Sequence, residues 1–170
     1  MPGLIHIYCG DGKGKTTASL GLALRAYGAG MKVCIVQFMK GGETSELNVL
    51  GKLPGLTVMR CDKQYGFFEN LTEREKNEIS VCHNELLKRA FLSDADMIIL
   101  DEFNAAYGYG LLDRKMAEGF VIGGKEKAEI VLTGRNPAEI FVNEADYISE
   151  ICCIRHPYEK GIFARKGIEY

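Results

Sequence analysis

The strongest chemical signal in this 170-residue chain is a run of glycines, lysines and threonines near its start. The run reads Gly10, Asp11, Gly12, Lys13, Gly14, Lys15, Thr16 and Thr17. Glycines let successive backbone N–H groups point inward, and a following helix adds partial positive charge, so such a loop can surround a phosphate chain. Lys15 would supply a mobile cation, and Thr16 a hydroxyl ligand for Mg²⁺. Cys9 replaces the first glycine of the usual pattern, but a predicted strand and a predicted helix flank the loop as the motif requires.

A pair of acids follows an apolar stretch in the middle of the chain. Residues 97–101 are typical of a buried strand, which ends in Asp101 and Glu102. A carboxylate at the end of such a strand can hold Mg²⁺, directly or through water, opposite bound phosphates. An isolated acid in this position is more often a solvated loop residue or a helix cap, but the phosphate loop favours the metal role. We predict metal ligands among Thr16, Asp101 and Glu102, and the sequence does not decide between the two acids.

Strands and helices alternate around these motifs. Apolar runs predict strands at residues 4–9, 32–39, 56–61, 97–101, 129–133 and 147–154. Helices are predicted at residues 16–29, at residues 45–53 with Ser45 as the cap, and after a capping box formed by Thr72 and Glu75. This order predicts one α/β domain over residues 1–170, with a mostly parallel sheet and helices on both faces. Ligands bind such folds at the carboxyl ends of the strands, where both motifs lie.

The composition excludes several classes of protein. Apolar residues make up 46% and charged residues 26% of the chain, a globular balance. The net charge of −2 does not suggest binding to nucleic acid. No apolar run approaches the ~18 residues of a membrane helix, and the amino terminus lacks the pattern of a secretion signal. Six cysteines without a Cys-x-x-Cys pair are interpreted as reduced, mostly buried thiols of a cytoplasmic protein.

The motifs, taken in order, resemble one family. They are the phosphate loop, the strand at residues 33–38 leading into Lys40 and Gly41, and the segments 100–102, 132–135, 160–162 and 167–170. This set resembles the ATP:corrinoid adenosyltransferases of the phosphate-loop type, which act on cob(I)alamin or cob(I)yrinic acid a,c-diamide in cobalamin biosynthesis and salvage. The resemblance extends from Ile5 to Tyr170. It implies a RecA-like phosphate-loop (P-loop NTPase) architecture, a cytoplasmic location and a homodimer.

The resemblance also implies a reaction. A cobalt(I) corrinoid attacks the 5′ carbon of ATP, a cobalt–carbon bond forms, and inorganic triphosphate leaves. Lys13, Lys15, backbone N–H groups and Mg²⁺ would stabilise the negative charge that develops on the leaving group. No general base is required, because the reduced metal carries no proton to remove. The implied partners are ATP, a corrinoid and an electron donor, expected to be a flavoprotein.

By the same resemblance, Thr133 and Arg135 would lie beside the nucleotide at the end of a strand. A strand-end turn with an exposed arginine is the alternative interpretation. Glu46 matches a glutamate of the family, although an acid at the start of a helix explains it equally well.

An aromatic segment would complete the site. Tyr65, Phe67 and Phe68 resemble the family's loop that covers the corrinoid, and Phe67 would promote catalysis. Pressure on the lower face of the corrin would displace the axial ligand and ease the reduction of cobalt(II). A loop folded onto the core explains these aromatics equally well. The chain lacks the tryptophan that is common in this loop, and we expect the amino-terminal cover of several members to be missing or replaced.

Two other functions remain open from the sequence. A small phosphotransferase or ATPase would use the same loop, but it needs a base or a water-positioning group near the γ-phosphate and releases ADP. A nucleotide-dependent module could instead bind a corrinoid without forming a cobalt–carbon bond.

Overall fold

The computed structural model describes residues 2–40, 44–63 and 68–169. In chain order, their strands and helices are β1 (Ile5–Cys9), α1 (Lys15–Gly28), β2 (Val33–Gln37), α2 (Leu47–Leu50), β3 (Leu56–Arg60), α3 (Glu73–Leu92), β4 (Met97–Asp101), α4 (Phe103–Gly108), α5 (Arg114–Gly124), β5 (Glu129–Thr133), α6 (Glu139–Glu144) and β6 (Tyr147–Glu150). Two short 3₁₀ helices lie at Phe68–Asn70 and Pro157–Lys160. None of the helices in the described ranges is long and apolar enough to cross a membrane.

The strands form one parallel sheet in the order β3-β2-β4-β5-β1-β6. Because all strands run in the same direction, their carboxyl ends meet at one edge of the sheet. The phosphate loop follows β1 at this edge, and the acid pair ends β4. The sheet confirms the predicted α/β class and is consistent with the phosphate-loop architecture.

Helices cover both faces of the sheet, and the alternation of side chains between these faces explains why the central strands β2 and β4 are almost continuously apolar. Val33 and Ile35 of β2 belong to a core that includes residues of α1 and α2. Cys34 and Val36 belong to the opposite core, which includes residues of α3, α4, α5 and α6. Every residue of β2 is therefore buried, which leaves polar chemistry to the strand ends.

Some predicted elements differ from the observed ones. The last strand ends at Glu150, because Glu150 pairs with Cys9, where β1 turns into the phosphate loop. The prediction of Ser45 as a helix cap is wrong, since α2 begins at Leu47 after Glu46 and has no side-chain cap. The helices α4, α5 and α6 were not predicted; α4 and α6 are too short to display a full amphipathic repeat.

The expectation of six reduced and mostly buried thiols is wrong in two respects. Cys61 and Cys82 form a disulfide that joins the end of β3 to α3, and Cys152 and Cys153 are exposed. The packing of α3 beside β3 brings the Cα atoms of these two cysteines to 6.2 Å from each other, although the residues are 21 positions apart in sequence. The spacing of the cysteines in the sequence cannot reveal this contact. The other two cysteines, Cys9 and Cys34, are buried free thiols, as predicted.

Candidate functional site

The phosphate loop connects β1 to α1 and curls around its own lysine. Lys15 is the first residue of α1, and its Nζ donates hydrogen bonds to the carbonyl oxygens of Gly10 at 2.7 Å and Gly12 at 2.8 Å. Gly10 and Gly14 have φ angles of +93° and +119°, a region that favours glycine. Apart from its chain neighbours, no atom of residues 2–40, 44–63 and 68–169 lies within 4 Å of a Cβ built on Gly14, so this part of the structure leaves the loop open at this point.

The segment after β6 supports the other side of the loop. The backbone N–H of Gly12 donates to the carbonyl oxygen of Ile151 at 2.7 Å, and a Cβ on Gly12 would lie 2.6 Å from that oxygen. Glycine is required at position 12 by this close approach. Cys9, which replaces the usual glycine, is the buried last residue of β1, and the bend begins one residue later at Gly10.

A fully buried carboxylate, that of Asp101, joins the ends of four strands. Its Oδ1 accepts hydrogen bonds from the hydroxyls of Thr16 at 2.8 Å and Thr133 at 2.7 Å. Its Oδ2 accepts from Lys40 Nζ at 2.7 Å and Gln37 Nε2 at 3.3 Å. These donors come from the residues that end or follow β1, β2 and β5, so Asp101 at the end of β4 fixes their relative positions.

Glu102 lies beside this network in an uncommon backbone conformation. Its φ angle is +57°, a region that non-glycine residues rarely adopt outside tight turns and functional sites. Its backbone N–H donates to Thr133 Oγ1 at 2.9 Å, which holds the conformation. Burial, together with the negative charge of Asp101, raises the pKa of the Glu102 carboxyl above its ordinary value.

Lys40 also belongs to the site, although the sequence analysis named it only as part of a motif. The preceding residue, Met39, has a φ angle of +57°, and its N–H donates to Nε2 of His83 at 3.3 Å. Burial lowers the pKa of His83 to about 4, so the ring is neutral at pH 7 and can accept this bond. The position of Lys40 directly beyond the carboxyl end of β2 was the signal that could have identified it.

A cavity of about 650 Å³ opens above these groups. Its lining combines the phosphate loop, Lys40 and Glu102 with five apolar side chains: Leu20, Leu24, Val49, Leu50 and Ile168. Glu46 also lines the cavity. A cationic loop and apolar side chains in one cavity suit a ligand that joins phosphates to an aromatic base.

The carboxyl-terminal segment reaches the phosphate loop. Glu169 Oε1 lies 3.6 Å from Lys13 Nζ, and the carboxylate also accepts a hydrogen bond from the backbone N–H of Arg165 at 2.8 Å. Hydrogen bonds from Arg165 and the charge of Lys13 lower the pKa of Glu169 to about 2. The sequence reasoning did not select Glu169, although the segment 167–170 was part of the family resemblance.

The residues predicted to bind the nucleotide or the metal lie in three kinds of environment. Seven line the cavity: Gly12, Lys13, Gly14, Lys15, Thr16, Thr17 and Glu102. Asp101 and Thr133 are fully buried, with hydrogen bonds that lead to Thr16 and Glu102. Arg135 is exposed, and its Nε lies 3.5 Å from Oδ1 of Asp11, also exposed.

The aromatic segment is described only in part. Tyr65 and Phe67 lie outside the described residues. Phe68 begins a 3₁₀ helix and stacks on Tyr109 with ring centroids 4.0 Å apart. The Nζ of Lys76 lies 5.2 Å from the centre of the Phe68 ring.

Comparison with known proteins identifies the family. The family model described as "ATP:corrinoid adenosyltransferase BtuR/CobO/CobP" matches residues 1–170. The chain belongs to this family. The sequence-based identification is therefore confirmed, and the chain is a transferase that moves the adenosyl group of ATP to a corrinoid.

Individual members of the adenosyltransferase family align over almost the whole chain. The corrinoid adenosyltransferase of Pseudomonas aeruginosa is 31% identical over 173 residues, which cover 99% of this chain and 84% of the relative. That of Sinorhizobium sp. is 32% identical over 99% of this chain and 80% of the relative. That of Escherichia coli K12 is 32% identical over 99% of this chain and 86% of the relative.

The contact between Glu169 and Lys13 leads to a prediction for ATP binding. Glu169→Gln removes a negative charge beside a lysine of the phosphate loop, so ATP should bind about two- to fivefold more tightly in titration calorimetry, the modest effect typical of an exposed pair. Glu159→Gln, in the same exposed segment, is the control and should bind ATP like the wild type. Weaker binding by Glu169→Gln would contradict this account and mean that the acid helps to form the pocket.

Proposed function

We propose that this adenosyltransferase catalyses a single displacement in which a cobalt(I) corrinoid attacks the 5′ carbon of ATP. The cobalt–carbon bond forms as the bond from C5′ to oxygen breaks, and the electron pair of that bond leaves with inorganic triphosphate. The observation that carries this proposal is the convergence of the phosphate loop, its lysines and Glu102 with apolar side chains in the lining of one cavity. Such a site can hold the whole of ATP while stabilising charge on its phosphates.

The phosphate loop stabilises the triphosphate leaving group. Lys15 is already held inside the loop by the carbonyl oxygens of Gly10 and Gly12, and Lys13 lies beside it at the cavity wall. Groups that are oriented before the reaction need little reorganisation as negative charge develops, which is the main source of electrostatic catalysis. The remaining contribution is alignment of cobalt, carbon and leaving oxygen, which can be worth up to ~7–11 kcal/mol.

The donors around Asp101 fit a magnesium ion. The hydroxyl of Thr16 and the carboxylates of Asp101 and Glu102 are hard oxygen ligands of the kind that Mg²⁺ prefers, and an ammonium group already lies against two of them. We assign Thr16 and Glu102 to the metal, because both line the cavity. Asp101 is fully buried beneath them and would act by positioning. The bound ion would neutralise charge on the triphosphate.

The aromatic loop is proposed to cover the corrinoid. Tyr65, Phe67 and Phe68 would lie against the macrocycle, with Phe67 pressing on its lower face to displace the axial ligand. The stacking of Phe68 on Tyr109 supports this proposal, because it provides a fixed aromatic surface at the end of the loop.

The proposed setting is the cytoplasm, where the enzyme serves cobalamin biosynthesis or salvage and receives electrons from a flavoprotein. We also propose a homodimer. Apolar side chains that remain exposed on β6 and in the segment after it support this state: Tyr147, Ile148, Ile154 and Phe163.

The products of the reaction test the proposal. The protein, Mg²⁺-ATP and chemically reduced corrinoid are mixed in the dark, and the corrinoid spectrum and the phosphate products are followed together. We expect a light-sensitive alkyl-cobalt spectrum and one triphosphate per corrinoid. Lys15→Ala should lower turnover by at least about 100-fold, because it removes a charge that acts on the leaving group.

Lys88→Ala, on the exposed side of α3, is the matched control and should react like the wild type. Release of ADP without a spectral change would contradict the proposal in favour of phosphoryl transfer. Corrinoid binding without a cobalt–carbon bond would indicate a binding module.

The role of the aromatic loop is tested by the oxidation state of the starting corrinoid. Phe67→Ala should slow the reaction that starts from cobalt(II) and a reductant at least about tenfold more than the reaction that starts from cobalt(I). The reason is that displacement of the axial ligand assists only the reduction. Leu92→Ala, at an exposed position at the end of α3, should change neither rate. An equal loss from both starting states would mean that Phe67 only binds the corrinoid.

A further inference from the structure

Lys40 occupies the space between two oxygen donors at the proposed magnesium site. Its Nζ lies 2.7 Å from Asp101 Oδ2 and 3.0 Å from Thr16 Oγ1. The hydroxyl of Thr16 gives its own proton to Asp101 Oδ1, so a lone pair of Thr16 faces the ammonium group. A divalent cation that uses this lone pair must compete with the lysine.

We propose that Lys40 is an exchangeable counter-cation, which holds the place of the metal in the nucleotide-free enzyme and moves to the triphosphate when Mg²⁺-ATP binds. This inference rests on the proposed binding of Mg²⁺ to Thr16 and Glu102. It assigns Lys40 two successive ligands, first the buried carboxylate and then the leaving group.

The burial of Asp101 explains why a counter-cation is needed before the metal binds. A fully buried carboxylate is strongly unfavourable without a compensating charge. Its three other donors among the residues that the structure describes, the two threonine hydroxyls and the amide of Gln37, are neutral. The ammonium group of Lys40 therefore supplies the positive charge within this network.

The placement of Lys40 allows its side chain to move while its backbone stays in place. The preceding N–H, that of Met39, is held by the buried ring of His83. The Lys40 side chain is 26% exposed and lines the same cavity as Lys13 and Lys15. Before the nucleotide binds, Lys40 would suppress metal binding at this site. After the exchange, Lys13, Lys15 and Lys40 would all face the triphosphate.

Binding of Mn²⁺ to the nucleotide-free protein, followed by electron paramagnetic resonance, tests the exchange. Lys40→Met should bind Mn²⁺ at least about tenfold more tightly than the wild type, because the competing charge is gone. Addition of Glu102→Gln to this variant should abolish the gain, which places the ion at the proposed site. Lys88→Met controls for the change in net charge and should bind like the wild type.

Two further variants keep the test decisive if Lys40→Met is unstable. Lys40→Gln is neutral but can still donate a hydrogen bond to Asp101, and it should also gain affinity for Mn²⁺. Lys40→Arg retains the charge and should bind Mn²⁺ as weakly as the wild type. Unchanged or weaker Mn²⁺ binding by the neutral variants, or a gain in Lys40→Arg equal to theirs, would overturn the inference. The Mn²⁺ assay uses neither corrinoid nor turnover, so it can fail while the proposed reaction still holds. A failure of the proposed reaction would instead be revealed by the release of ADP in the product assay.

Discussion

The site depends on the burial of one carboxylate at the point where four strands end. Asp101 is fully buried and accepts hydrogen bonds from Thr16, Thr133, Lys40 and Gln37. Loss of one partner from a buried ion pair typically costs about 3–5 kcal/mol, because the other charge remains buried without compensation. The network therefore stabilises one arrangement of the strand ends and makes other arrangements costly.

The groups that face the substrate take their positions from this network. Thr16 ties the start of α1, and with it the phosphate loop, to β4. Thr133 binds both Asp101 and the backbone of Glu102, which fixes the acid that lines the cavity. The loop is held from its other side by Ile151, after β6. Lys13, Lys15 and Glu102 thus line one cavity before any nucleotide binds, together with apolar side chains that suit a nucleoside.

The parts of this arrangement that depend on local sequence could be predicted. Continuous apolar runs predicted the buried strands, and glycine spacing predicted the phosphate loop, because both follow from nearby residues. Contacts between distant segments could not be predicted in this way. The pairing of Glu169 with Lys13 and the disulfide between Cys61 and Cys82 depend on how the chain packs. The partners of Lys40 could not be predicted for the same reason, since Asp101 ends β4 and Thr16 follows β1.

The most direct test of the account is the chemical denaturation of Asp101→Asn, with and without Mg²⁺-ATP. An amide offers only one accepting oxygen, so one pair of donors would face its NH₂ group. We predict that the free energy of unfolding without ligand falls by about 3 kcal/mol or more. The stabilisation that Mg²⁺-ATP gives the wild type by binding the folded state should also be largely lost. Asp62→Asn, at an exposed position, should match the wild type in both measurements. An Asp101→Asn variant with the stability and the ligand response of the wild type would contradict the central role of this carboxylate.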